Sequence, residues 1–257
     1  MPRATWKGSI MLGLLNVPIA TYVANREEKV SFNTVEIETG ERIKMPYVSS
    51  VTGAELDRKT DVMKRYDFGD GRSADVTADD LATVHPAKSK VIQLQGFVPR
   101  VSIDPSLYAT THQVGALPET GQALSLLSIA MQSRDLVGVG TYVKGNAEKL
   151  VLLRANGARV WLHELYWADE VREPVEPLSG QTDKRMLAMA EQLVDGLVMD
   201  WDHGSYVNTH RDAMLAMLEL KATGAEIEAA VEPDMPSPSD LMAQLEASIA
   251  AAKAVKA

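Results

Sequence analysis

"GVGTYVKGNAEKLVLLRANGARVWLHELYW" (138–167) holds three apolar, β-branched or aromatic runs separated by two turn dipeptides, Gly145-Asn146 and Asn156-Gly157. Asn-Gly supplies the positive φ angles of a type I′ turn. The segment therefore predicts two consecutive hairpins and an antiparallel sheet. Working outward, "IATYVA" (19–24), "KVSFNTVEIE" (29–38) and "SKVIQLQGFVP" (89–99) also read as strands. Thr39-Gly40 and Thr52-Gly53 read as turns leading into "ERIKMPYV" and "AELDRKTDVMKRYDF". One helix interrupts the strands, with Ala123, Leu126, Leu127, Ala130 and Met131 at a 3.6 period. Many strands with short turns imply a barrel or sandwich.

After Pro174 and Pro177 the pattern turns helical. Thr182 is placed to N-cap a helix with Met186, Ala190, Leu193 and Leu197 on one stripe. "DWDHGSYVN" (200–208) joins it to a second helix carrying Ala213, Met214, Met217 and Leu218, which Gly224 can end. "EPDMPSPSD" (232–240) reads as a proline linker, followed by a short amphipathic helix with Leu241, Leu245 and Ile249 on one face.

The chain has 257 residues, 46% of them hydrophobic, enough to bury a real core. No apolar window is long enough to span a bilayer. The run from Ile10 to Leu15 is too short for a secretory signal, so a cytoplasmic protein, close to the nucleoid, is expected. The absence of cysteine removes disulfides, cysteine nucleophiles and thiolate metal sites. The net charge of −9 counts at first against nucleic acid. Its distribution counts the other way: acidic and basic residues balance over residues 1–110, and most of the excess acid lies in the last third. A neutral half can present one basic face, because fields are local on the scale of a Debye length.

No sequence motif supports a reaction. GxSxG, GxxxxGK[ST], a helix-opening GxGxxG and HExxH are all missing. Asp200, Asp202 and His203 stand close enough to suggest a metal, but a polar connector explains them equally well. His85, His112, His163 and His210 are scattered singly, and "FGDGRSAD" (68–75) lacks the ligand spacing of a calcium loop. No enzyme activity, metal or cofactor is expected. The basic residues carry more information. Arg42, Lys44, Arg58, Lys59, Lys64 and Arg65 cluster in one stretch, with Lys88, Lys90 and Arg100 further along. On adjacent strands they would line a surface that follows a phosphate backbone; the same charges would equally make a solvated sheet face.

The opening "RATWKGSIMLGLLNVPIATYVA" (3–24) resembles the start of bacterial Ku proteins, R-A-x-W-K-G-x-I-x-x-G-L-x-N-V-P. "VSFNTV" (30–35), "GERIK" (40–44), "DLATVHPAKSKVIQLQGFVPRVSIDP" (80–105), "ELYWADEVREP" (164–174) and "KRMLAMAEQLVDGL" (184–197) resemble later family segments in order. The resemblance covers roughly residues 2–224. It implies a mixed, mainly β fold: a Ku-type β-barrel with a β-ribbon bridge and a helical C-terminal arm, two copies closing a homodimeric ring. The core would span residues 1–178 with its bridge at about 42–68, the arm 179–231, and the linker and tail helix 232–257. The implied function is threading onto double-stranded DNA ends in non-homologous end joining, protecting and bridging them, and recruiting an ATP-dependent DNA ligase of the ligase D type. On this reading Trp6 packs, Gly8 and Gly13 allow close backbone approach or a bulge, and Lys7 joins Arg42, Lys44, Arg58, Lys59, Lys64, Arg65, Lys88, Lys90 and Arg100 on DNA. Two departures stand out. Ser49, Ser50 and Thr52 occupy the neighbourhood where many relatives carry a cysteine pair, and Lys253 and Lys256 are all that stands for a lysine-rich tail. The tail-poor form suits a phage-borne or minimal member. The alternative is a β-barrel scaffold for a protein partner, without DNA binding.

Overall fold

The computed structural model describes residues 3–84, 89–117, 120–173, 175, 183–224 and 248–250. Contacts divide the chain into two compact units, Met1–Glu27 with Asn33–Glu173, and Glu28–Phe32 with Pro174–Ala257.

In the first unit, seven strands among the described residues close a barrel in the order β1-β2-β8-β11-β10-β9-β7. They are β1 (Trp6–Leu12), β2 (Leu15–Val23), β7 (Val91–Pro99), β8 (Tyr108–Ala116), β9 (Leu136–Lys144), β10 (Ala147–Asn156) and β11 (Arg159–Leu165). All neighbours are antiparallel except β1 and β7, which pair in parallel at Ser9↔Val91, Ile10↔Ile92 and Met11↔Gln93. The sandwich alternative is thereby removed. Ile10, Ile19, Ile92, Val151, Leu153 and Leu162 converge from different strands and are fully buried inside. Helix α2 (Gly121–Ser133) packs Leu124 and Met131 onto that core. A second apolar cluster, Val137, Leu152 and Leu165, lies on the opposite face of β10 under Ile103 and Tyr108.

The opening stretch is a hairpin rather than one strand. Leu12 pairs with Leu15 across Gly13-Leu14, and Gly13 has φ +58° with nothing near its missing Cβ. It is a turn glycine, not a packing one. Gly8 is the packing one: a Cβ there would strike the Lys90 carbonyl oxygen and the Trp6 indole. That carbonyl takes a 2.9 Å hydrogen bond from Ser9 N–H, so Gly8 lets the parallel seam close. The double hairpin is present, but its second turn is shifted by one residue. Asn156 pairs with Arg159, leaving Gly157-Ala158 as the turn, and only Gly157 has positive φ. Glycine at the first of two central positions is the type II′ pattern, which Gly13 and Gly145 share.

Other expectations shift. "KVSFNTVEIE" forms no strand, only an isolated bridge from Val35 to Arg42. Helix α2 buries Leu124, Ser128 and Met131 and turns Leu126 outward at 70% exposure. Its phase is set by Gln132, whose side-chain amide exchanges hydrogen bonds of 2.9 and 2.8 Å with the Gly157 backbone. A short helix, α1 (Ala78–Thr83), was not anticipated from the sequence; a capping box between Thr77 and Asp80 starts it.

Between β2 and β7 the chain makes a long excursion. It carries two small hairpins, β3 (Tyr47–Val48) with β4 (Glu55–Leu56), and β5 (Lys64–Asp67) with β6 (Ser73–Val76). In the second unit, α3 (Lys184–Leu197) and α4 (Thr209–Ala222) are present, and neither buries a residue. Asp183 caps α3 by accepting from Arg185 N–H; Thr182 lies outside the described residues, as do the linker and all of the tail helix but residues 248–250. Gly224, at φ +80°, follows the end of α4 as expected. Among the described residues no helix is long and apolar enough to cross a membrane.

The seam yields a prediction. Gly8→Ala should cost about 2–3 kcal/mol, because the clash is with backbone that cannot swing away. A thermal melt checks it; an unchanged midpoint would contradict the closure described.

Candidate nucleic-acid interface

The excursion is built to hold charge outward. From residue 42 to 68 every residue is exposed except Ser49 and Leu56, which are half-buried. Its shape comes from short local hydrogen bonds. Ser49 N–H donates to Ala54 O and Gly53 N–H to Ser49 O, both at 2.9 Å, closing the β3–β4 turn. In the next loop, Asp57 accepts from Lys59 N–H at 2.7 Å and Asp61 accepts from Asp57 N–H at 2.9 Å. The Asp57 N–H, joined by the Thr60 hydroxyl, holds the Asp61 carboxyl below the usual carboxylate range. Both acids accept backbone donors, and the neighbouring Lys59 and Lys64 have no carboxylate partner among the described residues. A cleft of about 600 Å³ lies between this loop and α1, lined by Arg58, Lys59, Met63, Lys64, Thr77 and Leu81. Arg58 sits 5.8 Å from the Tyr47 ring centroid, a cation–π contact that fixes the guanidinium.

The candidate residues divide by their partners. Arg65 is held bidentately by Asp75, its direct cross-strand neighbour, with Nη2–Oδ2 at 2.8 Å. Arg100 is held by Asp135 at 2.8 Å. Both are locally neutralised. Lys7, Arg42, Lys44, Arg58, Lys59, Lys64 and Lys90 are exposed and have no carboxylate partner among the described residues. Lys90 lines a smaller cleft of about 290 Å³ with Trp6 and Val143. Lys88 lies outside the described residues. The Asp200–Asp202–His203 group forms no metal cluster among the described residues. Asp202 instead accepts from Gly204 N–H at 2.9 Å and starts a 3₁₀ turn, and His203 faces Trp201.

A polar network inside the barrel went unseen in the sequence. Glu164 Oε1 accepts from Tyr142 Oη at 2.6 Å, from Lys144 Nζ at 2.6 Å and lies 3.2 Å from His112 Nε2. Trp6 meets Tyr142 edge-on at 5.4 Å. The network ties β8, β9 and β11 at the end where the excursion leaves, since His112 pairs with Val23, the last residue of β2. Burial raises the Glu164 carboxyl, but the three hydrogen bonds more than reverse this and hold it at about 2. His163, bonded through Nδ1 to Thr111 at 2.9 Å, is pushed down to about 4, chiefly by burial and then by the charges of Arg154 and His112.

Both groups take up protons more readily in the unfolded chain, so stability is lost as the pH is lowered. His163 removes stability from about 6.5 to 4, and Glu164 from about 4.5 to 2. Acid melts should show both limbs, and His163→Gln should lack the upper one. Glu164→Gln should cost about 3 kcal/mol at neutral pH, the low end for breaking a buried pair because Lys144 is partly exposed. A melt midpoint unmoved by that change would mean the network contributes nothing.

Comparison with known proteins follows the same lines. The chain matches the family model described as the Ku70/Ku80 beta-barrel domain over residues 11–193. It is 30% identical over 261 residues to the non-homologous end joining protein Ku of Mycobacterium tuberculosis, covering 97% of this chain and 95% of that protein. It is 32% identical over 256 residues to the protein of the same name from Frankia casuarinae. That match covers 98% of this chain but 64% of the longer relative, so the chain spans less than two thirds of it.

Proposed function

The chain belongs to the Ku family, and on that premise we propose that it binds the ends of double-stranded DNA without reading sequence, as a homodimeric ring acting in non-homologous end joining. The observation that carries the reading is the excursion. A segment that buries almost nothing, yet in which Arg42, Lys44, Arg58, Lys59 and Lys64 meet no carboxylate among the described residues, suits a polyanion rather than stability. A joining factor must accept any end, so phosphate contacts suit it better than base contacts. Such contacts gain affinity by releasing counterions, and a ring adds retention by topology.

The second unit supports the dimer. Helices α3 and α4 fully bury no residue, Met186, Leu193, Met214 and Met217 being only half-buried, and Val194, Leu197 and Trp201 stay exposed. A second copy would cover that apolar surface, as obligate interfaces do. Recruitment of an ATP-dependent ligase of the ligase D type belongs to the same proposal, with residues 232–257 as its contact. The working compartment is the cytoplasm, at the nucleoid.

The deciding experiment uses one plasmid, linearised or covalently closed, at about 0.15 M salt, where screening weakens side-on contacts. Firm binding to the linear form and little to the closed form is expected, and blocking the ends after loading should trap the protein. Equal binding would overturn threading; no binding to either would favour the scaffold alternative.

The free and neutralised cations should also differ. Replacing Lys44, Lys59 and Lys64 by Ala should lower the slope of log K against log salt by about 2.7, at about 0.9 per contact. Replacing Arg65 and Arg100 by Ala should change it by less than about 1, since each is already matched by an aspartate. Sedimentation should show a dimer at nanomolar concentration, and Val194→Asp with Leu197→Asp should give monomers.

A further inference from the structure

The outer face of the barrel carries a second cleft, apart from the excursion. A cleft of about 530 Å³ opens where residues 100–108 pass over β8, β11 and β10, lined by Arg100, Ile103, Tyr108, Thr111, Arg154 and His163. Two nitrogens in its lining are buried without a hydrogen-bond partner, Arg154 Nε and His163 Nε2. Strand register explains why they meet. His163 faces Leu152 and Thr111, while Arg154 faces Trp161, which puts Arg154 and His163 diagonally on one face of the sheet. The Tyr108 ring meets the imidazole edge-on at 4.8 Å and fixes its plane. Thr111 Oγ1 occupies Nδ1; when that hydroxyl donates, Nε2 carries the hydrogen and is a donor with no acceptor.

Buried polar groups are almost always satisfied, and leaving a donor unpaired forfeits its hydration with nothing in return. Neither donor has a partner in the barrel as it stands, and both residues line one cleft. The charge of the lining narrows what they await. Arg100 is already bound by Asp135, and no acid lines the cleft, so Arg154 leaves one net positive charge. One positive charge suits a monoanion. The remaining walls, Val101, Ile103, Pro105 and Tyr108, are largely apolar. A duplex presents a broad, polar, continuous polyanion and makes poor use of such walls.

We propose that this cleft docks an acidic–apolar peptide segment of a partner protein. Arg154 and His163 take one Asp or Glu carboxylate, and Ile103 and Tyr108 take the adjoining apolar side chain. Charge-assisted hydrogen bonds to a carboxylate give orientation, and the apolar walls give affinity.

The test pans a displayed dodecapeptide library against the full chain, then titrates the enriched sequences as fluorescent peptides. The expected sequences carry Asp or Glu beside Leu, Ile or Phe. Their affinity should fall at least tenfold with Arg154→Gln, and also when the peptide carboxylate is replaced by an amide. Val101→Asp provides a second variant that spares the packing, because Val101 is 89% exposed, and it should repel the peptide to a similar degree. A 20-base-pair duplex should not displace the peptide, and Arg154→Gln should bind duplex as the parent does. Enriched peptides without acids, affinity indifferent to both variants, or displacement by duplex or by inorganic phosphate would each overturn the proposal. Duplex binding by the parent protein is read separately, so failure here is distinct from failure of the DNA reading.

Discussion

A closed barrel with an odd number of strands cannot be antiparallel all the way round. Alternating directions leave two neighbours pointing the same way, and here they are β1 and β7. A parallel pair cannot be joined by a tight hairpin, and here the chain enters β7 only after its long excursion from β2. The seam also brings two backbones close beside a large indole, which requires a residue without a side chain at Gly8. Trp6 then lies inward against Tyr142, and Tyr142 holds Glu164. One parity constraint thus fixes the exit of the excursion, the glycine beside it and the first link of the interior network.

The barrel and the excursion obey different physics. In the barrel, strands are specified by what they bury, and register is held by alternate side chains facing the core. In the excursion there is little to bury. Loop geometry there comes from Asp57, Asp61, Ser49 and Thr52 bonding to backbone a few residues away. The second unit is a third case, with helices carrying an apolar stripe but no core of their own.

This division explains what the sequence made legible. The strands around 138–167 were readable because turn glycines and β-branched runs are local signals, although Asn156 drew the second turn one residue too early. "KVSFNTVEIE" had strand composition and formed none: strand propensity needs a surface to pack against, and all of this segment but Val30 is exposed. The network of His112, Tyr142, Lys144 and Glu164 was invisible, since its members lie up to 52 residues apart and only register gathers them. The basic residues were visible as a cluster. Which of them were neutralised was not, because the partners Asp75 and Asp135 stand 10 and 35 residues away.

The exposure of the excursion has a consequence for how this protein can change. Charge at Lys44, Lys59 and Lys64 can be rewritten almost without passing through the folding equilibrium, because those side chains are exposed and pair with no carboxylate among the described residues. Selection or engineering could retune the charge of this surface in small steps while the barrel keeps its melting point. A survey of variants by thermal stability alone would record those positions as silent.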